Sequence, residues 1–416
     1  MVVISELSGG SNGGDPYKNP QEEEEEVNQN ENPQEVVEVN LAPVTQELPK
    51  GVMEIIVARV PICYYLKLTH VCRAFRQLIA SQQLFLTRLR HGVTESVLYA
   101  LISLPALDTR RWFILHRSNM SSRFIRIYSS FPPTFPGSAA VTIGHKIYVV
   151  GGYVGFLQPL TDAIVIDCRF NTWRYLPNMQ RARFYAAAGV IDGKIYVIGG
   201  RKKQDDDWIE VFDVELEIWE TVPSQCPNDA SASGIFGTSV VMQGRIFILD
   251  HLSCLAYEPR QGLWQSWGLE SQLKRLWRPF SCAVRDLLYC LDLTLSLGHP
   301  IVVYYPNELV WRPLMGVSTS QLPMHSYDHW SKMVNFGGKL LILGGYHGRV
   351  HDVCCVEIAL ETRQGGQIWG NVESTSLVYT DDLHSACIEI CLTVTVKFEQ
   401  LVDTREQVEM KMNTVI

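Results

Sequence analysis

The residues best suited to chemistry in this 416-residue sequence are its histidines and cysteines. His347-x3-His351-x2-Cys354-Cys355 brings four potential metal donors close together. On a helix, His-x3-His would share a face. Gly348 and the preceding Gly344-Gly345 place this pair in a loop instead, and VCCVEI reads as the interior of a buried strand. A zinc site wants four ligands at recognised spacings, so no metal is expected. His325-x3-His329 and Cys387-x3-Cys391 are weaker, the latter lying in an apolar segment. The sequence contains no G-x-S-x-G, G-x-x-x-x-G-K or H-E-x-x-H motif and no RING-type Cys/His spacing. The expectation is a chain with no cofactor and no covalent chemistry of its own.

The elements that would carry any site are repeats. Runs such as GHKIYVVGG, GKIYVIGG and GKLLILGG recur, with weaker copies in GRIFILD and DLLYCLD. Their central residues, Tyr148, Tyr196, Phe247, Tyr289 and Leu341, follow an earlier marker at Tyr99, with separations of 49, 48, 51, 42 and 52 residues. A tryptophan follows each: Trp112, Trp173, Trp219, Trp264, Trp311 and Trp369. One repeat reads as four short strands, Ala186–Ile191, Ile195–Ile198, Ile209–Asp213 and Trp219–Val222. Asp192-Gly193 forms its first hairpin turn and Pro223 its stop. Four antiparallel strands per ~50 residues, repeated radially, describe a propeller blade. The hydrophobic run, Gly-Gly, spaced Asp and Trp resemble kelch repeats. Asp250-His251 and Asp292-Leu293 replace the glycine pair in two degenerate copies. The first repeat offers only Val97–Ser103, Ala106–Asp108 and Trp112–Leu115, so the apolar stretch 384–394 is expected to supply its missing strand and close a six-bladed ring.

A propeller presents a concave face of loops. Loops after the glycine pairs and loops entering each first strand should share it. They carry Tyr153, Arg181, Arg183, Arg201, Trp277, Arg278, His329, Trp330, Tyr346 and His347, with Lys202 and Lys203 nearby. Arginines and aromatics anchor protein interfaces, so these residues are candidates for holding an acidic or hydrogen-bond-rich target segment. The competing reading is ordinary surface charge, or packing of Trp277 and Trp330 between blades, with Asp205–Asp207 neutralising its own loop. Some kelch-type propellers are copper oxidases, but Cys168, Tyr175, Tyr185 and the histidines match no such motif here.

The net charge of −8 is unevenly spread. Residues 1–46 hold ten acids and one lysine, whereas the remaining 34 acids and 35 bases nearly cancel. The ordered part therefore has no nucleic-acid footprint, and residues 1–45, with the run Glu22–Glu26, read as a disordered acidic tail. No apolar run approaches the ~18 residues that span a bilayer. Glu6 and the lack of a basic leader argue against a secretory signal. Eleven scattered cysteines read as reduced thiols, which points to cytoplasm or nucleus.

Between tail and repeats, Val52, Ile55, Ile56 and Val60 recur at helical spacing until Pro61. Leu68, Val71, Cys72, Phe75 and Ile79 follow, then Leu84, Phe85 and Leu89. Some 45 residues of short helices are marginal alone. Leu48-Pro49, Arg59-Val60-Pro61, Val71-Cys72 and Ser81 with Leu84-Phe85 resemble an F-box, with Phe75 where many members carry Trp and Lys50-Gly51 where an acid is common. The resemblance implies that Leu48, Pro49, Val52, Ile55, Ile56, Val60, Pro61, Leu68, Val71, Cys72, Phe75, Leu84 and Phe85 serve a Skp-type adaptor, and through it a cullin. Taken alone, helical periodicity would favour every one of them packing on the propeller, because apolar stripes are usually core. The expected organisation is a tail (1–45), an F-box helical domain (46–91), a kelch-repeat β-propeller (92–395) and a C-terminal tail (396–416). Such an order resembles plant-type F-box/kelch substrate receptors of ubiquitin ligases; a ubiquitin-independent scaffold and a propeller enzyme are the alternatives.

Overall fold

Two-residue turns set the register of the sheet. Asp192 and Gly193 both adopt positive φ (51° and 75°), the geometry whose twist suits a right-handed hairpin. Ile191 then pairs with Lys194, and the strands Ala187–Ile191 and Lys194–Ile198 run antiparallel. The same unit recurs around a ring of six four-stranded sheets. This computed structural model describes residues 48–395, apart from 94, 105, 106, 108, 118–121, 128–130, 203–206, 225, 324–330, 347, 348 and 382–385, and apart from the side chains of 66, 89, 346 and 349–351. Both expected tails, 1–45 and 396–416, lie outside the described residues.

The hydrophobic core is distributed as wedges between blades. Tyr148, Val150 and Val165 of one sheet, for example, pack on Ile195, Val197, Phe212 and Trp219 of the next. The indoles also tie each blade to the segment entering it: Trp219 Nε1 donates to Pro177 O (2.8 Å), Trp264 Nε1 to Ser224 Oγ (2.7 Å) and Trp311 Nε1 to Gln272 O (2.7 Å).

The ring closes as the sequence predicts. Cys387–Thr395 pairs antiparallel with Ser96–Leu104, completing a blade whose order continues through Thr109–Arg117 to Ser122–Arg126. Two details of that blade differ from expectation. The outer strand is Ser122–Arg126, beyond the expected Trp112–Leu115, and Trp112 lies one strand further in than the tryptophans of the other blades, while Ala106 and Asp108 lie outside the described residues. Trp112 follows Tyr99 too closely to reach the outer strand, so the sixth Tyr–Trp pair is a coincidence of composition.

The helical region comprises Lys50–Ala58 (α1), Tyr65–Val71 (α2), Arg73–Ile79 (α3) and Gln82–Arg90 (α4). The expected single segment from Leu68 to Ile79 is broken at Cys72, whose backbone is extended and whose thiol accepts from Phe75 N at 3.4 Å, an N-cap for α3. These helices do not form a separate core. Val57, Ala58, Ile62, Tyr65, Leu78 and Leu84 are continuous with Tyr99, Ile114, Ile147 and Ile166 in the wedge between the first two blades.

A buried polar network fixes the junction. Arg88 Nη1 donates to Ala58 O (2.9 Å), Val60 O (2.8 Å) and Tyr65 Oη (3.0 Å), capping carbonyls at the end of α1 that have no helical partner. Its Nη2 donates to Glu95 Oε2 at 3.0 Å, and Ile62 N donates to the same oxygen at 3.0 Å. Thr87 Oγ1 donates to Glu54 on the inner side of α1. Below the helices, Phe85 meets His145 edge-on and the Arg169 guanidinium stacks on Phe85.

Two histidines at this junction are held neutral. Burial pushes His145 down to about 4 from its usual 6.5, with Arg169 assisting and Asp167, 3.9 Å away, opposing. Burial also lowers His116, which packs against Tyr64. Burial favours the neutral form of both in the fold, whereas in the unfolded chain they protonate below about pH 6.5. The unfolded state therefore binds more protons between roughly pH 6.5 and 4. Stability should consequently fall as pH drops through that window. We expect His145→Gln to remove about 1–2 kcal/mol of the difference between pH 7.5 and 5, read from urea unfolding; an unchanged difference would contradict the assignment.

Candidate interaction surfaces

Helix α1 is apolar on both sides. Its inner face is Glu54, Val57 and Ala58, all buried. Val52, Ile55 and Ile56 point outward, 43%, 38% and 48% exposed, and Val71 at the end of α2 is 66% exposed. Leu48, Pro49, Pro61 and Cys72 are exposed as well. The other expected adaptor residues turn the opposite way. Leu84 is buried, while Val60, Leu68, Phe75 and Phe85 are half-buried and pack against the core shared with the propeller. Val60 lies beyond the end of α1, which frees it from the helical face assigned by spacing. The thirteen residues therefore divide between an outward apolar stripe and an inward set that holds the helices to the ring.

The rim residues divide too. Arg183, expected on the loop face, is 1% exposed. Its Nε and Nη2 donate to Glu210 Oε1 at 3.0 and 2.9 Å; Nη1 donates to Gly199 O and Trp208 O, and Nη2 to Asp207 O. Glu210, 0% exposed, accepts in addition from Gln180 N and Arg181 N. Burial lowers the Arg183 guanidinium from its ordinary value and Glu210 opposes that shift. The pair is a fully bonded buried bridge between a linker and the next blade, and its arginine is unavailable to a target. Trp277 is likewise buried, with Nε1 donating to Ser281 Oγ at 2.9 Å. It packs between blades.

Gly151 explains why the bridge needs a glycine opposite it. It has φ 65°, and a Cβ there would lie 2.4 Å from Arg183 O. Gly152 N donates to that oxygen at 2.9 Å. Where Asp250 replaces glycine, its buried carboxylate accepts from Ser231 N at 2.6 Å, so a side chain takes over the tie between loop and linker.

Arg181 and Arg278 remain exposed. Arg181 Nη2 pairs with Asp207 Oδ2 at 2.8 Å, so part of the loop's charge is internally neutralised, and Arg278 Nη1 donates to Trp277 O. Arg201 is half-buried and Lys202 exposed. Tyr153 is half-buried, with Phe184 and Tyr185 rings 5.7 and 6.0 Å away. His329, Trp330, His347 and Lys203 lie outside the described residues, as does the side chain of Tyr346. Sequence reasoning missed Tyr185, Phe280, Arg110, Lys332 and Glu389, which line the mouth and wall of an axial cavity together with Tyr153. Their signal was faint: Glu389 is an acid alternating with apolar residues in the closing strand, and Lys332 opens a strand otherwise read as core.

Of the four donors weighed for a metal, His347 and the side chain of His351 lie outside the described residues. Cys354 and Cys355 are adjacent in the strand Arg349–Thr362 and so face opposite sides of the sheet. Burial pushes them up to about 11 and about 12, which keeps both protonated. Among the described residues no group of three or more His, Cys, Asp or Glu could hold an ion. Among those same residues, no helix is long and apolar enough to cross a membrane.

The F-box domain family matches residues 46–87, and the FKB95 kelch-repeats domain family matches residues 112–379. The chain belongs to the F-box/kelch-repeat family. It is 55% identical over 400 residues to the F-box/kelch-repeat protein At2g29830 of Arabidopsis thaliana, covering 95% of this chain and 100% of the relative. It is 46% identical over 403 residues to the F-box/LRR-repeat/kelch-repeat protein At2g29770 of the same plant, again covering 95% and 100%. In this F-box/kelch chain the two surfaces occupy opposite ends of the blades. Phe85 packs near the turns at His145 and Arg169, while Gly151-Gly152 and Tyr153 stand at the far end of the same strands.

Removing either half of the buried bridge strands the other charge. Arg183→Ala should cost about 3–5 kcal/mol in urea unfolding. Arg181→Ala, which breaks an exposed pair, should cost about 1 kcal/mol or less. Equal costs would refute the division.

Proposed function

We propose that the chain is the substrate-recognition subunit of a Skp–cullin–F-box ubiquitin ligase, with the helices holding the adaptor and the loop end of the ring holding a target for ubiquitination and degradation. The observation that carries this reading is the outward stripe of Val52, Ile55, Ile56 and Val71. Its apolar residues are left over after the same helices have packed on the propeller. An amphipathic partner helix covers such a stripe. F-box domains generally bind a Skp-type adaptor and through it a cullin, so the partner has a defined chemistry.

A non-catalytic role fits the arrangement. The Arg88–Glu95 network makes the helices one body with the ring, so a target held at the loop end stays at a set distance from the adaptor. Catalysis is then positional, by raising the local concentration of a target lysine at a conjugating enzyme. All eleven cysteines are free thiols, which supports the cytoplasm or nucleus as the working compartment.

Ile55→Asp tests the reading with little risk to the fold, because the side chain already faces solvent. Capture of a purified Skp-type adaptor should fall about tenfold or more, with the urea midpoint unchanged. Leu84→Ala should lower the midpoint instead. Adaptor capture unaffected by Ile55→Asp would overturn the assignment.

A further inference from the structure

The strand nearest the axis in each blade bonds to a neighbour on one side only, as Lys332–Phe336 and Cys387–Thr395 do. Their free edges surround an axial channel of about 1370 Å3. An unpaired edge leaves backbone N–H and C=O groups available. Much of the wall is small, including Gly137, Ala139, Ala187 and Gly237, which is why the space stays open.

The charges in this wall are unequally committed. Arg110 Nε reaches both Glu389 carboxylate oxygens, at 3.0 and 3.2 Å. Glu95, at the helical end, is committed to Arg88 and Ile62 N. Lys332 remains. Among the described residues its side chain makes neither a hydrogen bond nor a close ion pair. It lines the channel together with Cys387, Glu389 and Cys391 of the adjacent closing strand, and burial pushes it below the ordinary lysine value. Both thiols are raised by burial and so bring no negative charge. An unpaired cation in such a setting favours an anion beside it.

We propose that the axial channel binds a small organic anion, bearing a carboxylate or a phosphate group, with Lys332 as its counter-ion. The size is that of a ligand cleft rather than of a single side chain. Tyr153 and Tyr185, with ring centroids 6.0 Å apart, line the same cavity and offer hydroxyl donors for a second oxygen. This inference stands on the ring alone and does not depend on the adaptor reading.

The test is thermal unfolding and isothermal titration calorimetry of the full chain in complex with its adaptor if one is captured, otherwise alone. Inorganic phosphate and citrate serve as probes, with sodium chloride at matched ionic strength as the control. Wild type should bind at least one probe saturably at one site, and Tm should rise by about 2 °C per tenfold increase above the dissociation constant. Phosphate alone would identify a phosphate-bearing ligand, and citrate alone a carboxylate. Lys332→Gln should lose the saturable binding, while Lys332→Arg should retain part of it. Any generic stabilisation by excluded anions persists in the Gln variant. No saturable binding of either probe to wild type, or equal binding by Lys332→Gln, overturns the proposal. The wild-type titration decides the first point even if the Gln variant does not fold. Adaptor capture by Lys332→Gln should match wild type.

Discussion

Closure of the ring governs everything else in this molecule. A row of blades buries its apolar faces only against neighbours, so an open row would leave two wedges half exposed. Cys387–Thr395 removes that exposure by pairing with Ser96–Leu104 across nearly the whole length of the described chain. The sheet it completes is also the one that receives the helices, since Glu95 immediately precedes Ser96 and Tyr99, Trp112 and Ile114 belong to the core shared with α1 and α4. Sequence-distant ends, the helical handle and the Arg110–Glu389 pair of the channel wall thus depend on a single blade. Its Arg110 and Glu389 are 279 residues apart in sequence, a contact that exists only when the ring is shut.

Between blades, the joints use different chemistry for one purpose. Glycines at positive φ let a linker carbonyl approach the preceding sheet, as at Gly151 and Arg183. Degenerate blades lose that approach and substitute a buried carboxylate: Asp250 binds Ser231 N, and Asp292 accepts from Thr294 N and Ser296 N within its own loop. At Asp250, loss of the glycine signature is therefore not loss of the joint. A buried Asp with backbone donors supplies the same fixation through a side chain.

The repeating unit was legible because turns, glycine pairs and hydrophobic alternation are local. Strand ends at Ile209–Asp213 and the closing segment followed from them without tertiary information. Burial of charged groups was not legible. Arg183 and Arg181 stand two residues apart in the same linker, yet one is locked against Glu210 and the other faces solvent. Nothing in residue type separates them; the distinction is set by which side chain points between blades. Helix α1 was legible only in part, for a related reason. Its periodicity marks an apolar stripe but not what covers it. With Val57 and Ala58 taking the inner face beside Glu54, the stripe read from Val52, Ile55 and Ile56 is the outer one.

The buried charges show how the ring and its helices can act as one body without a large joint. Arg88 has no long-range attraction to offer at an exposed site, but at 2% exposure it binds the carbonyl end of α1, a tyrosine and the carboxylate that begins the first blade. Breaking any of these contacts leaves a buried charge without its partner, so a swinging motion of the helices would cost far more than the loss of one surface contact. Rigidity here comes from the penalty for partial satisfaction rather than from area. It also keeps the outward stripe of α1 and the loop end of the propeller in a fixed relation, which is what the proposed positional mechanism demands.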